Sequence, residues 1–182
     1  MKFRLWLKIL GCCLVFMYSQ LAFATGGMSI GYADGTKSVK AWRVGFQRSW
    51  ANDGITPNKR RLTGYWELAF TAMHNPITYT FPTVNNNDAI SGSFVLRIPF
   101  KICVQLFVDL GIGLTYLTNE EISTRNLGAR WLFEDRIGIG MLLGQRKQYE
   151  IGYRLVHFSN AYLTQTNQGI NFHFLILGYW FR

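Results

Sequence analysis

The stretch Tyr149-Glu150-Ile151-Gly152-Tyr153-Arg154-Leu155-Val156-His157-Phe158-Ser159 decides the fold. Successive side chains of a strand point to opposite faces, so a period of two sorts this run into two sets. Tyr149, Ile151, Tyr153, Leu155, His157 and Ser159 make one face; Glu150, Gly152, Arg154, Val156 and Phe158 make the other. The first face is apolar and aromatic until it ends in a histidine and a serine. The second carries charges that would need partners if they were enclosed. Two questions follow: whether the greasy face looks at lipid, and whether its polar end does chemistry there.

The same alternation recurs on either side. Trp42, Val44 and Phe46 alternate with Ala41, Arg43, Gly45 and Gln47, and Trp66, Leu68 and Phe70 with Tyr65, Glu67, Ala69 and Thr71. Segments of this kind cover approximately residues 26–34, 38–49, 62–73, 89–98, 101–117, 128–143, 148–160 and 169–181, which predicts eight strands. Turn formers separate them, among them Asp34-Gly35, Pro57-Asn58, His74-Asn75-Pro76, Asn85-Asn86-Asn87-Asp88 and Asn167-Gln168-Gly169. Most segments exceed the usual globular strand and match the length that crosses a bilayer at a tilt. Glycines scattered through the apolar stretches oppose helices.

Only helices and edge-free barrels satisfy every backbone polar group in lipid. The expected fold class is therefore all-β, an eight-stranded antiparallel transmembrane β-barrel. Aromatic residues lie near many strand ends, as interfacial girdles require. A soluble lipocalin-like barrel or a secreted sandwich is the competing architecture. Inward Arg43, Glu67 and Arg154 count against an apolar ligand cavity. Tyr179 and Phe181 continue the Leu175, Leu177 face, resembling the aromatic carboxy-terminal strand of outer-membrane proteins, although Arg182 follows.

Residues 1–24 read as a secretory leader: basic Lys2, Arg4 and Lys8, an apolar core over residues 9–18, then Ala22-Phe23-Ala24. Residues 25–182 form the barrel domain. Removing the leader's three basic residues takes the formal net charge from +9 to +6, and Cys103 alone survives of the cysteines, so no internal disulfide can form. The charge is modest and the chain is exported, which argues against nucleic-acid binding. No G-x-S-x-G elbow, zinc-ligand spacing or phosphate loop is present. No metal or cofactor is expected.

His157 and Ser159 are neighbours on one strand face. A serine hydroxyl is a poor nucleophile until a base removes its proton, histidine has the right basicity, and a third group must hold its tautomer. The last two strands should form a hairpin through residues 161–168. A register with Ser159 opposite Asn171 and His157 opposite His173 would place Asn171 diagonal to the histidine. Phe172, Phe174, Ile176 and Trp180 would then fill the lumen.

His157-Phe158-Ser159-Asn160-Ala161-Tyr162-Leu163, followed by Asn167-Gln168-Gly169-Ile170, resembles the signature of the PagL-type lipid A 3-O-deacylases. The resemblance implies an eight-stranded barrel in the outer membrane of a Gram-negative bacterium. It also implies hydrolysis of an ester-linked acyl chain of lipopolysaccharide. Carried over by residue, it makes His157 the general base and Ser159 the nucleophile, and puts Asn160 near the oxyanion. The family's acid is usually a glutamate, and Asn171 stands at that position. An amide can accept a hydrogen bond from the histidine but brings no charge, so a slow esterase is expected. The alternative is a noncatalytic barrel of the same descent with a structural or lipopolysaccharide-binding role. Expected partners are lipid A and outer-membrane lipids, with a homodimer allowed. Arg125, Arg130 and Lys59-Arg60-Arg61 are candidates for neutralising lipid A phosphates.

Overall fold

The structure, a computed structural model, describes residues 26–49, 63–77, 79, 83–101 and 104–181. The leader, Lys59-Arg60-Arg61 and Cys103 lie outside the described residues. The strands are β1 (Gly26–Gly35), β2 (Lys40–Ser49), β3 (Thr63–His74), β4 (Asn86–Lys101), β5 (Gln105–Leu117), β6 (Glu121–Ile122), β7 (Arg125–Asn126), β8 (Trp131–Leu143), β9 (Tyr149–Ser159) and β10 (Ile170–Phe181). Eight of them close a barrel in the order β1-β10-β9-β8-β5-β4-β3-β2, every neighbour antiparallel. Closure leaves no unpaired edge. The short strands β6 and β7 pair with each other in the connection before β8.

All eight expected strands are present, and four boundaries move by three or four residues: β4 starts at Asn86 and ends at Lys101, β5 starts at Gln105 and β8 starts at Trp131. Pro99 has no N–H to donate to the ladder. The sheet nevertheless keeps Pro99 in register with Phe107, and β4 runs on to Lys101. The expected start at residue 128 fails because Gly128 has φ +76°, a left-handed conformation that no strand continues through. The strand begins at Trp131 instead.

The two faces differ as alternation requires. Outside, large apolar side chains are exposed on every barrel strand: Ile30, Trp42, Leu68, Ile90, Ile112, Ile137, Ile151 and Leu175 among them. No water-soluble protein presents a continuous belt of this extent, and the belt is what a lipid-facing wall needs. Aromatic pairs ring both ends. Tyr32–Trp42 and Tyr116–Trp131 lie at one end, Tyr149–Tyr179 and Tyr179–Phe181 at the other.

Inside, Phe158, Phe172, Phe174, Ile170 and Val156 pack with Leu117, Leu127 and Leu132 beneath the end of the barrel where β9 stops. Below this plug lies a charged lattice in which Arg43, Arg97, Arg136 and Arg154 are balanced by Glu67, Asp109, Glu134 and Glu150, all buried. Glu67 is a hub. Its Oε1 accepts from Arg136 at 2.6 Å and Arg43 at 3.1 Å, and its Oε2 from Gln47 at 2.9 Å and Arg154 at 3.1 Å. Glu150 accepts from Arg97, Arg154 and the Trp180 indole. An unpaired charge here would cost several kcal/mol, so the matched charges fill the lumen and brace the wall.

Candidate active site on the outer wall

The regular pairing of β9 with β8 and β10 keeps its face assignments to the strand's end. His157 and Ser159 therefore share the outer face with Tyr153 and Leu155. The register of the final hairpin differs from the expected one by two residues. His157 lies opposite Asn171, His173 lies opposite Leu155, and Ile170 pairs with Phe158. A two-residue slip preserves which face each side chain occupies while exchanging its neighbours.

The physical reason lies in the connecting loop, residues 160–169. Asn160 Nδ2 donates to Leu127 O at 2.9 Å, Thr164 Oγ1 at 2.7 Å and Thr166 O at 2.6 Å, while the Asn160 backbone N–H donates to Asn167 Oδ1 at 3.1 Å. Gly169, at φ +54°, turns the chain back into β10. The loop so closed separates Phe158 from Ile170, its partner in the last pair of the hairpin, and the register follows from that pair.

The same bonds place Asn160 in the loop. Its side-chain and backbone N–H groups donate within the loop and to Leu127 O, and its side chain is buried, so it clamps the loop. Asn167 is held by its Oδ1 beside Ser159, and among the described residues its Nδ2 has no partner.

The new register brings Asn171 directly onto the histidine. Asn171 Oδ1 accepts from His157 Nδ1 at 2.6 Å. With the proton on Nδ1, the lone pair sits on Nε2, the nitrogen a general base uses. The ring edge lies against Gly169: a Cβ at that glycine would be 2.9 Å from Cε1 and 3.5 Å from Nε2. Gly169 immediately precedes Ile170, the first residue of β10, whose partner Phe158 adjoins Ser159. Ser159 retains 9% of its exposure, and among the described residues its hydroxyl has no hydrogen-bond partner. On its far side, Asn171 is fixed by its backbone N–H donating to Thr36 Oγ1 at 3.1 Å. His173 pairs instead with the Tyr153 hydroxyl through Nδ1.

A groove of about 550 Å³ opens beside His157. It follows two rungs across the wall. One runs Phe94, Ile112, Asp135, His157; the next runs Leu96, Leu110, Ile137, Leu155. The groove crosses β4, β5, β8 and β9, roughly 14 Å at an interstrand spacing of about 4.8 Å. Its lining is apolar except for Asp135 and His157 at one end and the Arg136 backbone side of β8.

Strand β7 presses on the loop 160–169. Arg125 Nη1 donates to Gln168 O at 2.8 Å and Gly169 O at 3.0 Å, so Arg125 braces the backbone next to the histidine. Arg130 is exposed at the same end of the barrel. The sequence offers no role for Asp135, and it marks Asn167 and Gly169 only as turn formers within the signature. Asp135 carried one signal, an acidic residue in the otherwise apolar outward series Trp131, Phe133, Ile137, Ile139.

Residues 40–180 match the family described as lipid A 3-O-deacylase (PagL). The lipid A deacylase PagL of Pseudomonas aeruginosa is 29% identical over 137 residues, covering 74% of each chain. The lipid A deacylase PagL of Bordetella bronchiseptica is 33% identical over 67 residues, 37% of this chain and 36% of that protein. The crystal structure of the outer membrane enzyme PagL matches with a TM-score of 0.73 at 27% identity, covering 84% of this chain and 98% of that one.

Proposed function

Because the chain belongs to the PagL family of lipid A 3-O-deacylases and folds as an integral outer-membrane barrel, we propose that it is a serine esterase removing the 3-O-linked acyl chain of lipid A. Ser159 is the nucleophile, His157 the general base, and Asn171 the residue that orients the imidazole. The observation that carries this reading is the His157 Nδ1–H to Asn171 Oδ1 hydrogen bond at 2.6 Å, which leaves Nε2 as the base on the face shared with Ser159.

In this mechanism Nε2 takes the Ser159 proton as Oγ attacks the ester carbonyl carbon. The carbonyl oxygen becomes an oxyanion, and the Nδ2 group of Asn167 is the side-chain donor left over beside Ser159 to meet it. The tetrahedral intermediate collapses by breaking the bond to the sugar oxygen, which leaves with the proton held on Nε2. Water, deprotonated by the same nitrogen, then cleaves the acyl-serine. The products are a free fatty acid and a sugar hydroxyl, and the enzyme is regenerated.

Position on the wall explains access. The active pair faces lipid, so the substrate reaches it laterally, with an acyl chain in the groove over Ile112, Leu110 and Ile137. Gly26 and Phe181 lie at the opposite end of the barrel from the catalytic loop. In outer-membrane barrels the longer loops face outwards, which puts His157 at the outer leaflet. The same reading takes residues 1–24 as the export leader, and amino-terminal sequencing of the mature protein should begin at Thr25.

Mass spectrometry of lipid A from cells expressing the wild type, His157→Ala or Ser159→Ala tests the function. Loss of one ester-linked acyl chain is expected with the wild type only. Identical spectra in all three would reject the esterase in favour of a noncatalytic barrel.

A further inference from the structure

Asp135 is paired in register with His157 across β8 and β9, on the strand opposite to Asn171. Both residues line the head of the groove, on the outer face of the wall. The outward neighbours of Asp135 along its own strand are Phe133 and Ile137, and its partner on β5 is Ile112. It is exposed there, and among the described residues it has neither an ion-pair nor a hydrogen-bond partner. The other acidic residues on the outer wall, Asp34 and Asp88, sit at strand ends, and Asp34 is paired with Lys40. A carboxylate set among apolar side chains on a lipid-facing wall is costly, and its retention points to a function.

We infer that Asp135 is a positioning residue that supplies the negative charge stabilising the His157 imidazolium, a charge that Asn171 lacks. This inference rests on the esterase reading above. In a serine triad one carboxylate both fixes the histidine tautomer and stabilises the imidazolium. Here the two tasks fall to two residues on two strands. Asn171 fixes the tautomer through its hydrogen bond to Nδ1. Asp135 acts through space from the other flank, where directly paired residues have Cβ atoms about 4.5–5.5 Å apart.

The surrounding charges leave this task to Asp135. Glu134 and Arg136, its sequence neighbours, point into the lumen and belong to the buried lattice. On β10, His173 lies one rung below His157 and is bonded to Tyr153. From β7, Arg125 brings positive charge near Gly169, which adds to the need for a compensating anion. A charge that acts in a water-poor, lipid-facing site is only weakly screened.

Steady-state kinetics of the full chain in detergent micelles containing purified lipid A test the inference. The variants are Ser159→Ala, Asp135→Asn, Asp135→Glu, Asn171→Glu and the double change Asp135→Asn with Asn171→Glu, each checked for folding by the heat-dependent mobility shift of intact barrels on SDS gels. Asp135→Asn should lower kcat on the order of 10²-fold with KM within about twofold, less than the roughly 10⁴-fold of an amide replacing a directly bonded triad acid. Asp135→Glu should retain most of the rate. Moving the carboxylate to the other flank, in the double variant, should restore kcat to within about tenfold of the wild type. A merely structural Asp135 would show no such rescue. An Asp135→Asn enzyme as fast as the wild type, or a loss that Asn171→Glu leaves unrepaired, overturns the inference while Ser159→Ala still reports on the esterase. A wild type no more active than Ser159→Ala removes the esterase reading, and this inference with it.

Discussion

The imidazole of His157 rests against the bare backbone of Gly169: a Cβ at that position would stand 2.9 Å from the ring's Cε1. The glycine also holds φ +54°, where an L side chain is strained by about 1–2 kcal/mol. Gly169→Ala is therefore expected to displace the ring from Ser159 and to cost on the order of 10² in turnover, since small misplacements of a catalytic group are expensive. The rest of β10 is unaffected, so the barrel should keep its heat-dependent gel mobility. Full deacylation activity in folded Gly169→Ala would show that the close approach is unimportant.

Asn160 holds together a loop that no strand pairing supports. Its amide joins Leu127, Thr164 and Thr166 across residues 127–166. Removing it with Asn160→Ala strands one buried acceptor, Leu127 O, a loss of about 1–3 kcal/mol, and frees the exposed Thr164 and Thr166. The expected outcome is local: faster hydrogen exchange and protease cleavage within residues 160–169, with the denaturant midpoint of the barrel little changed. Activity should fall with the loop. If activity fell while exchange in the loop stayed at wild-type rates, Asn160 would be acting on the substrate and the clamp assignment would be wrong.

Glu67 joins Arg43, Arg136 and Arg154 in the closed interior. Glu67→Gln leaves three guanidinium groups facing a neutral amide, and breaking a buried ionic group in this way costs roughly 3–5 kcal/mol. Unfolding of the purified barrel by guanidinium in detergent should move to lower denaturant. Pairing the change with Arg136→Met, which removes one of the stranded charges, should recover part of the loss. Equal stability of wild type and Glu67→Gln would mean that the lattice fills space without holding the wall.

Much of this molecule is legible in the order of its residues. Alternation is a local property, because neighbouring side chains on a strand must point to opposite faces whatever the strand pairs with. That is why the outward set from Tyr149 to Ser159, the inward Arg43, Glu67 and Arg154, and the lumen-filling Phe172 and Phe174 were all readable beforehand. The leader-like start and the His157–Ser159 motif are local as well.

What the tertiary structure decided are the relations between strands. The hairpin register depends on how Asn160 and Gly169 fold the intervening loop, and the bonds that do this reach Leu127, far away in the chain. That register turned Asn171 from a diagonal neighbour into the hydrogen-bonded partner of His157. The same holds for Asp135. The outward series marks it as an odd acidic residue among apolar ones, but nothing in the sequence around it says which residue it faces. Only the alignment of β8 with β9 sets it beside the histidine. The strand face that ends in His157 and Ser159 was evident from a period of two; the groups that surround it come from strands whose registers are set by turns and loops.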